Sequence, residues 1–279
     1  MTDEEVQDIE IQLVLEALRL RFGYDFRNYA PASLRRRVTQ CLSSCEFTYI
    51  SEIIPRLLHQ GAFLDRLIQV LTISVSTLFR DPEVFRLLRE HSVPMLRTYP
   101  YFNVWMAGCA TGEEVYSMAI LLKEAGIYDR GRIFATDINR ENLDIAERGY
   151  YKADRWQEFE NNYRLSGGQS KLEDYCHMDG DWLSFDPELK KNMVYSTHNL
   201  ATDGVFAEMQ FIVCRNVLIY FDGGLQHRVI DLFQDSLVRG GHLCLGMSEN
   251  LDLGRPGHEF QAVSEKHRLF MAGYKRAGS

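Results

Sequence analysis

"NVWMAGCATGEEVYSMAILL", residues 103–122, reads as a short apolar run, a turn of small residues, and a helix that opens on two glutamates. A strand, a tight turn and a helix form the opening unit of a parallel α/β sheet, and small residues in the turn let a ligand approach the backbone. The helix N-terminus carries partial positive charge and favours anions. Here Glu113 and Glu114 already occupy it. A phosphate would meet two carboxylates, and the Gly-Lys-Ser/Thr of a P-loop is missing. The turn suits a ligand bearing a cation and hydroxyls. Taken alone, the glutamates also read as partners of the helix dipole, worth up to about 1 kcal/mol.

Working outward, "YFNVWM", "RIFATDI", "MQFIVCRNVLIYF" and "HLCLGM" are apolar runs separated by helical stretches at 113–125, 140–148 and 223–239. Strands alternating with helices imply a parallel, doubly wound sheet whose ligand lies at the carboxyl ends of the strands. Those ends carry "AGCATGEE", "TDIN" and "CRNVLIY". An interruption at about 150–198, rich in Gly, Asp, Asn and aromatics, reads as an inserted subdomain. Upstream, helical spacing covers 4–22, with Gly23 as its stop, then about 32–44, 48–60 and 62–72. "TISVSTLFRDPEVF" breaks that pattern, and Pro82 suits the first turn of a linker helix reaching about residue 97. The expected domains are a helical bundle at 1–75, a linker segment and helix at 76–97, and an α/β domain at 98–279.

The chain has 279 residues, 46% hydrophobic and 25% charged, enough to bury one large core or two smaller ones. Its acidic start and lack of a long uncharged apolar run support neither a signal peptide nor a membrane span, so a cytoplasmic protein is expected. The six cysteines, at 41, 45, 109, 176, 214 and 244, form no CxxC and read as reduced, packed thiols. The eight histidines make no HExxH pair, and no metal site is expected. A net charge of −8 argues against nucleic-acid binding. That charge is uneven: residues 11–90 hold eleven arginines, no lysine and eight acidic residues, and "SLRRRV" groups Arg35, Arg36 and Arg37. Such a cluster is either a solvated helix face or a dock for an acidic protein.

Asp137 ends the second apolar run, where a carboxylate accepts hydrogen bonds from ribose hydroxyls. It also reads as a helix N-cap, as does Asn139. A small-residue turn, an acid after the next strand and no phosphate-binding lysine together fit an adenosine ligand with a cationic amino-acid tail, which S-adenosylmethionine is. NAD competes, but its pyrophosphate would face Glu113 and Glu114.

"STLFRDPEVF", "AGCATGEEVYSMAI", "FATDIN" and "CRNVLIYFD" occur in an order that resembles the CheR family of chemotaxis protein-glutamate methyltransferases, over nearly the whole chain. The resemblance implies an N-terminal helical domain and a Rossmann-like methyltransferase domain with a small inserted antiparallel β-subdomain. It also implies S-adenosylmethionine as methyl donor, S-adenosylhomocysteine as product, and glutamates on the cytoplasmic helical bundle of a chemoreceptor as acceptors. Carried over by motif, it assigns Glu114 rather than Glu113 to the cofactor's amino group and Asp137 to the ribose. Asn199 and Leu200 of "HNL" fall beside the adenine, and Arg215 and Asn216 in the cofactor pocket. Ser74, Ser76 and Arg80 line the site, and Tyr220 faces the transferred methyl. Ser74, Ser76 and Leu78 stand where the family often has Asn, Thr and Phe. Without the resemblance, Arg80 reads as an ion-pair partner of Asp81 or Glu83, and Tyr220 as a core aromatic. A monomer is expected, with Arg35, Arg36 and Arg37 as the receptor dock and the insertion as a second contact. The rivals are a CheR-like scaffold without turnover and a methyltransferase for another carboxylate.

Overall fold

The computed structural model describes residues 2–45, 47–72, 74, 76–253 and 259–273, so the expected domain limits at Met1, Val75 and Ser279 lie outside the described residues. The chain divides into two compact units. The first comprises residues up to Ser74 with Asn199–Gly204 and Ile219–Val229, and the second the remainder. Two short segments distant in sequence thus join the N-terminal helices.

The first unit holds α1 (Asp3–Phe22), α2 (Pro31–Cys45), α3 (Ile53–His59) and α4 (Gly61–Leu71). The start of α1 is set by a capping box: Glu5 N–H donates to Thr2 Oγ1, and Thr2 N–H donates to the Glu5 carboxylate at 2.7 Å. Its end is Gly23, left-handed at φ 80°, whose N–H donates to Arg19 O. The stop read at Gly23 is therefore observed. Val14, Leu15 and Leu18 of α1 are buried with Val38 of α2, Leu57 of α3 and Leu67 of α4. Each such side chain contributes roughly 1.5–3 kcal/mol on burial, which holds helices too short to be stable alone.

The second unit contains α5 (Pro82–Arg97), β1 (Phe102–Ala107), α6 (Glu113–Glu124), β2 (Gly131–Asp137), α7 (Arg140–Arg148), β3 (Tyr150–Lys152), α8 (Trp156–Leu165), β4 (Cys176–Asp179) and β5 (Trp182–Phe185). It continues through β6 (Met193–Thr197), β7 (Met209–Cys214), the latter half of α9 (Gly223–Ser236), β8 (Leu237–Leu245), β9 (Phe260–Ser264) and β10 (Leu269–Ala272). The main sheet runs β6-β2-β1-β7-β8-β10-β9. Strands β6, β2, β1, β7 and β8 are parallel, and β10 and β9 close one edge antiparallel. The chain steps from β1 to β2 on one side and later from β7 to β8 on the other. The reversal lies between β1 and β7, and a ligand crevice forms outside the carboxyl ends of strands at such a point.

A separate antiparallel sheet, β3-β5-β4, is the inserted subdomain expected from composition. The insertion ends sooner than that reading had it. Residues 193–197 form β6, an edge strand parallel to β2, rather than part of the insert. The run "MVYST" has only three apolar residues together and is partly exposed, which conceals an edge strand from an argument based on longer apolar runs. The small sheet is fastened to α6: the Tyr116 and Phe185 rings stack with centroids 4.1 Å apart and planes 7° from parallel. Helix α6 is buried on all sides, from Glu113 to Leu122.

Candidate functional site

Three loops of the second unit converge where the strand order reverses. The turn after β1 contains Gly108 and Gly112, both left-handed, with Ala110 left-handed between them at φ 47°. A side chain at Gly108 would strike Val217 of the β7 loop at 2.5 Å, and one at Gly112 would strike Ala146 of α7 at 2.4 Å. The glycines thus permit loops from three elements to close on one another. The Ala110 N–H donates to Asp137 Oδ2 at 2.8 Å, while Asp137 Oδ1 accepts from Asn139 N–H at 2.9 Å and from the Asn142 side chain at 3.3 Å. Asn139, not Asp137, caps α7: its side chain accepts the Glu141 N–H at 2.9 Å. Of the two roles open to Asp137, helix capping is taken by its neighbour. Burial raises its pKa, and the three N–H donors oppose that rise.

Arg215, at the end of β7, ties the loops together. Its side chain is 1% exposed. Nη1 donates to Glu114 Oε1 at 2.5 Å and to the Arg80 carbonyl at 3.0 Å, and Nη2 donates to the Asp81 carboxylate. Burial works against its charge, but Glu114 and Asp81 more than offset it and its pKa is raised. One guanidinium therefore joins the first, second and fourth sequence motifs. Glu113 is bonded instead to the Thr111 hydroxyl at 2.7 Å, and burial raises its pKa.

The segment carrying Ser76 and Arg80 is pinned along its backbone. Arg155 donates to the Ser76 carbonyl at 2.9 Å, Asn162 donates to the Leu78 carbonyl at 3.1 Å, and Phe79 N–H donates to Ser117 Oγ at 2.8 Å. Phe79 and Asp81 are both left-handed, at φ 49° and 53°, on either side of Arg80. Arg80 itself is partly exposed, and its guanidinium makes no hydrogen bond or ion pair among the described residues. Asp81, one of the two ion-pair partners that its sequence position offered, the other being Glu83, is taken by Arg215.

Asn216 follows Arg215 in the left-handed region at φ 61°. Among the described residues of the second unit, Phe79, Asp81, Ala110 and Asn216 hold the non-glycine left-handed positions apart from Arg268, and all four sit in motifs of the ligand crevice. Strain of about 1–3 kcal/mol each persists only where the surroundings over-determine it, as at functional sites. Two side chains that sequence reasoning passed over supply that determination. Glu249, 3% exposed, accepts the N–H groups of Val217 and Leu218, and Tyr151 donates to the Thr111 carbonyl at 2.6 Å. For Glu249 the available signal was "GMSEN", an acid among small residues just past a strand.

Ser74, Asn199, Leu200 and Tyr220 belong to the first unit. The Ser74 hydroxyl is buried and makes no hydrogen bond among the described residues. Asn199 Oδ1 accepts the Ala201 N–H at 3.0 Å, and Leu200 is buried. Tyr220 O accepts the Ala30 N–H at 2.8 Å, and the Arg37 guanidinium lies 4.5 Å from its ring centroid. This corrects the reading of "RRR" as one basic face. Arg37 is 3% exposed and donates to the Leu71 carbonyl, Arg35 pairs with Glu4 and Asp8, and Arg36 alone of the three is exposed. Successive residues on a helix are 100° apart, so three in a row cannot share a face.

Around the crevice stand Glu113, Glu114, Asp137 and Asp81 against Arg215 and Arg80. This surplus of acceptors suits a ligand with an ammonium group and hydroxyls. Two buried polar atoms there, Arg215 Nε and Asn216 Oδ1, have no hydrogen-bond partner among the described residues. Buried polar groups are seldom left so, and they are open to a polar ligand. S-adenosylmethionine, with an ammonium, a carboxylate, ribose hydroxyls and an adenine amine, presents both the donors and the acceptors this set requires. No helix among the described residues is long and apolar enough to cross a membrane. Among them, no cluster of three or more His, Cys, Asp or Glu side chains could hold a metal.

Comparison with known proteins agrees with this architecture. A relative from Pseudomonas putida, named as a methyltransferase, Cher3, is 45% identical over 97% of this chain and 99% of its own. The chemotaxis protein methyltransferase of Listeria innocua is 32% identical over 82% of this chain and 85% of its own. Residues 9–72 match the family profile described as CheR methyltransferase, all-alpha domain, and residues 74–268 match that described as CheR methyltransferase, SAM binding domain. The chain, a helical domain followed by a Rossmann-like, S-adenosylmethionine-binding methyltransferase domain, belongs to the CheR methyltransferase family.

Proposed function

We propose that the protein transfers the methyl of S-adenosylmethionine to glutamate side chains on the cytoplasmic helices of a chemoreceptor, forming methyl esters. The carboxylate-rich crevice at the β1/β7 reversal carries this reading, and the names of the chemotaxis protein methyltransferases among its relatives supply the acceptor class. Asp137 would take the ribose hydroxyls, and Glu114, whose Oε2 makes no hydrogen bond among the described residues, the cofactor's ammonium group. Asn216, the spare Arg215 Nε, Ser74, Ser76, Asn199 and Leu200 complete the binding set. Of these, Ser74, Ser76, Asn199 and Leu200 rest on the family resemblance.

The cofactor supplies a methyl already activated on a sulfonium. A glutamate acceptor is ionised at neutral pH, so the reaction requires no general base. The carboxylate oxygen forms a bond to the methyl carbon as the carbon–sulfur bond breaks, and the electron pair stays on sulfur. The protein's task is then alignment and exclusion of water, and orientation alone can be worth about 7–11 kcal/mol. Arg80, with an uncommitted guanidinium on a segment held rigid by Arg155, Asn162, Ser117 and Arg215, is suited to hold one acceptor oxygen while the other attacks. Tyr220 would orient the methyl. Tritium transfer from labelled cofactor to a chemoreceptor cytoplasmic domain tests the proposal. Base-labile label on the receptor is expected, and cofactor binding with no transfer would overturn it in favour of a scaffold.

A further inference from the structure

Glu249 lies outside the four motifs, after β8, yet its carboxylate is spent on the β7 loop. Oε1 accepts Val217 N–H at 2.8 Å and Leu218 N–H at 2.7 Å, and Oε2 accepts Gly246 N–H. The three amides come from two loops that adjoin in the sheet, since β7 and β8 are parallel neighbours. The loop so held contains Asn216 in its left-handed conformation and follows directly on Arg215. Gly246 is part of the same contact. A side-chain carbon there would stand 2.7 Å from Asn216 N and 2.8 Å from Glu249 Oε2, so only glycine lets the two loops close.

A buried acid that accepts three backbone N–H groups behaves as an internal template. It compensates amides that water cannot reach and sets the path of the chain between them. Glycine and asparagine are the residues that adopt a left-handed turn most readily, but readiness does not impose it. We infer that Glu249 is a positioning residue for the cofactor site: it imposes the turn at Asn216, and through that turn the direction in which Arg215 and Asn216 meet S-adenosylmethionine. This rests on the reading that the "CRN" loop contacts the cofactor.

The test measures S-adenosylhomocysteine affinity by calorimetry beside thermal stability, in the full chain. Glu249→Gln retains the shape and one acceptor oxygen but sets an NH2 group against an N–H donor. Gly246→Ala retains both carboxylate oxygens and pushes on Asn216 and on Glu249 Oε2 from the other loop. Both are expected to weaken binding at least tenfold in protein that is still folded, with the far-ultraviolet circular dichroism spectrum unchanged. Asn216→Ala serves as the control. If it weakens binding while both other variants bind as the parent does, Glu249 stabilises the fold and positions nothing, and the inference is overturned. If Asn216→Ala itself binds normally, the reading of the loop as a cofactor contact is wrong and the inference falls with it. Should Glu249→Gln fail to fold, Gly246→Ala decides between these outcomes, because it removes no donor or acceptor group.

Discussion

Replacing Arg215 by methionine removes the cation that links Glu114, Asp81 and the Arg80 carbonyl. The Glu114 side chain, 12% exposed, is left without its partner, and breaking a buried pair in this way costs about 3–5 kcal/mol. Asp81 is 35% exposed, so water takes over most of its share and its loss adds less than about 1 kcal/mol. The carbonyl loses a bond worth about 1 kcal/mol. These contributions overlap in a single network, and a total near 4 kcal/mol is expected, against the roughly 5–15 kcal/mol that stabilises a typical domain. Trp105, Trp156 and Trp182 all lie in the second unit, so tryptophan fluorescence during urea unfolding reports on the unit that contains the network. In the double variant Arg215→Met, Glu114→Gln no charge is stranded at position 114, and stability should recover by about 2 kcal/mol relative to additivity. A coupling below about 0.5 kcal/mol would refute the view that Arg215 and Glu114 form the central pair.

Other perturbations separate the remaining roles. His242 is 5% exposed and bonded to Ser92 Oγ at 2.9 Å, and burial, aided by His91, lowers its pKa from 6.5 to about 4. A depressed histidine stabilises the fold above pH 6.5 and loses that contribution as the pH falls towards 4, by about 3 kcal/mol in all. Urea titrations at stepped pH should show this slope in the parent and a flatter one in His242→Gln; equal slopes would exclude His242 as the source. Arg80→Ala should lower methyl transfer to receptor far more than S-adenosylhomocysteine affinity, whereas equal losses would place Arg80 against the cofactor. Arg36→Glu should leave the melting temperature unchanged and raise the KM for receptor only at low salt, because an exposed pair is screened. Arg37→Glu should instead lower the melting temperature by several degrees, since it buries a carboxylate beside the Leu71 carbonyl.

The parallel sheet, the helical N-terminal region and the order of the loops at the strand-order reversal were legible because they rest on local signals. Continuous apolar runs mark buried strands, Gly23 and Pro82 mark helix boundaries, and the glutamates of "ATGEE" exclude a phosphate without reference to anything distant in sequence. Asp137 could be placed for the same reason, as the last residue of an apolar run ending "ATD". Sequence also narrowed the cofactor to a cation with hydroxyls, since charge at a helix N-terminus is a local property.

Pairing was decided by tertiary structure. Arg215 and Asp81 are separated by more than a hundred residues, and nothing in either neighbourhood signals that Asp81 would bond Arg215 and leave Arg80 uncommitted. The Asn216 turn depends on Glu249, thirty-odd residues downstream, because β7 and β8 lie side by side in the sheet. "RRR" misled for the complementary reason: composition counts charges, whereas the helix turns each one to a different environment, and packing placed Arg37 in the interior. Strand β6 escaped because its apolar run is only three residues long and partly exposed at the sheet edge. Local chemistry determined which elements form and what class of ligand they suit; the sheet, by bringing distant loop ends together, decided which side chains are consumed in mutual pairs and which remain available to a substrate.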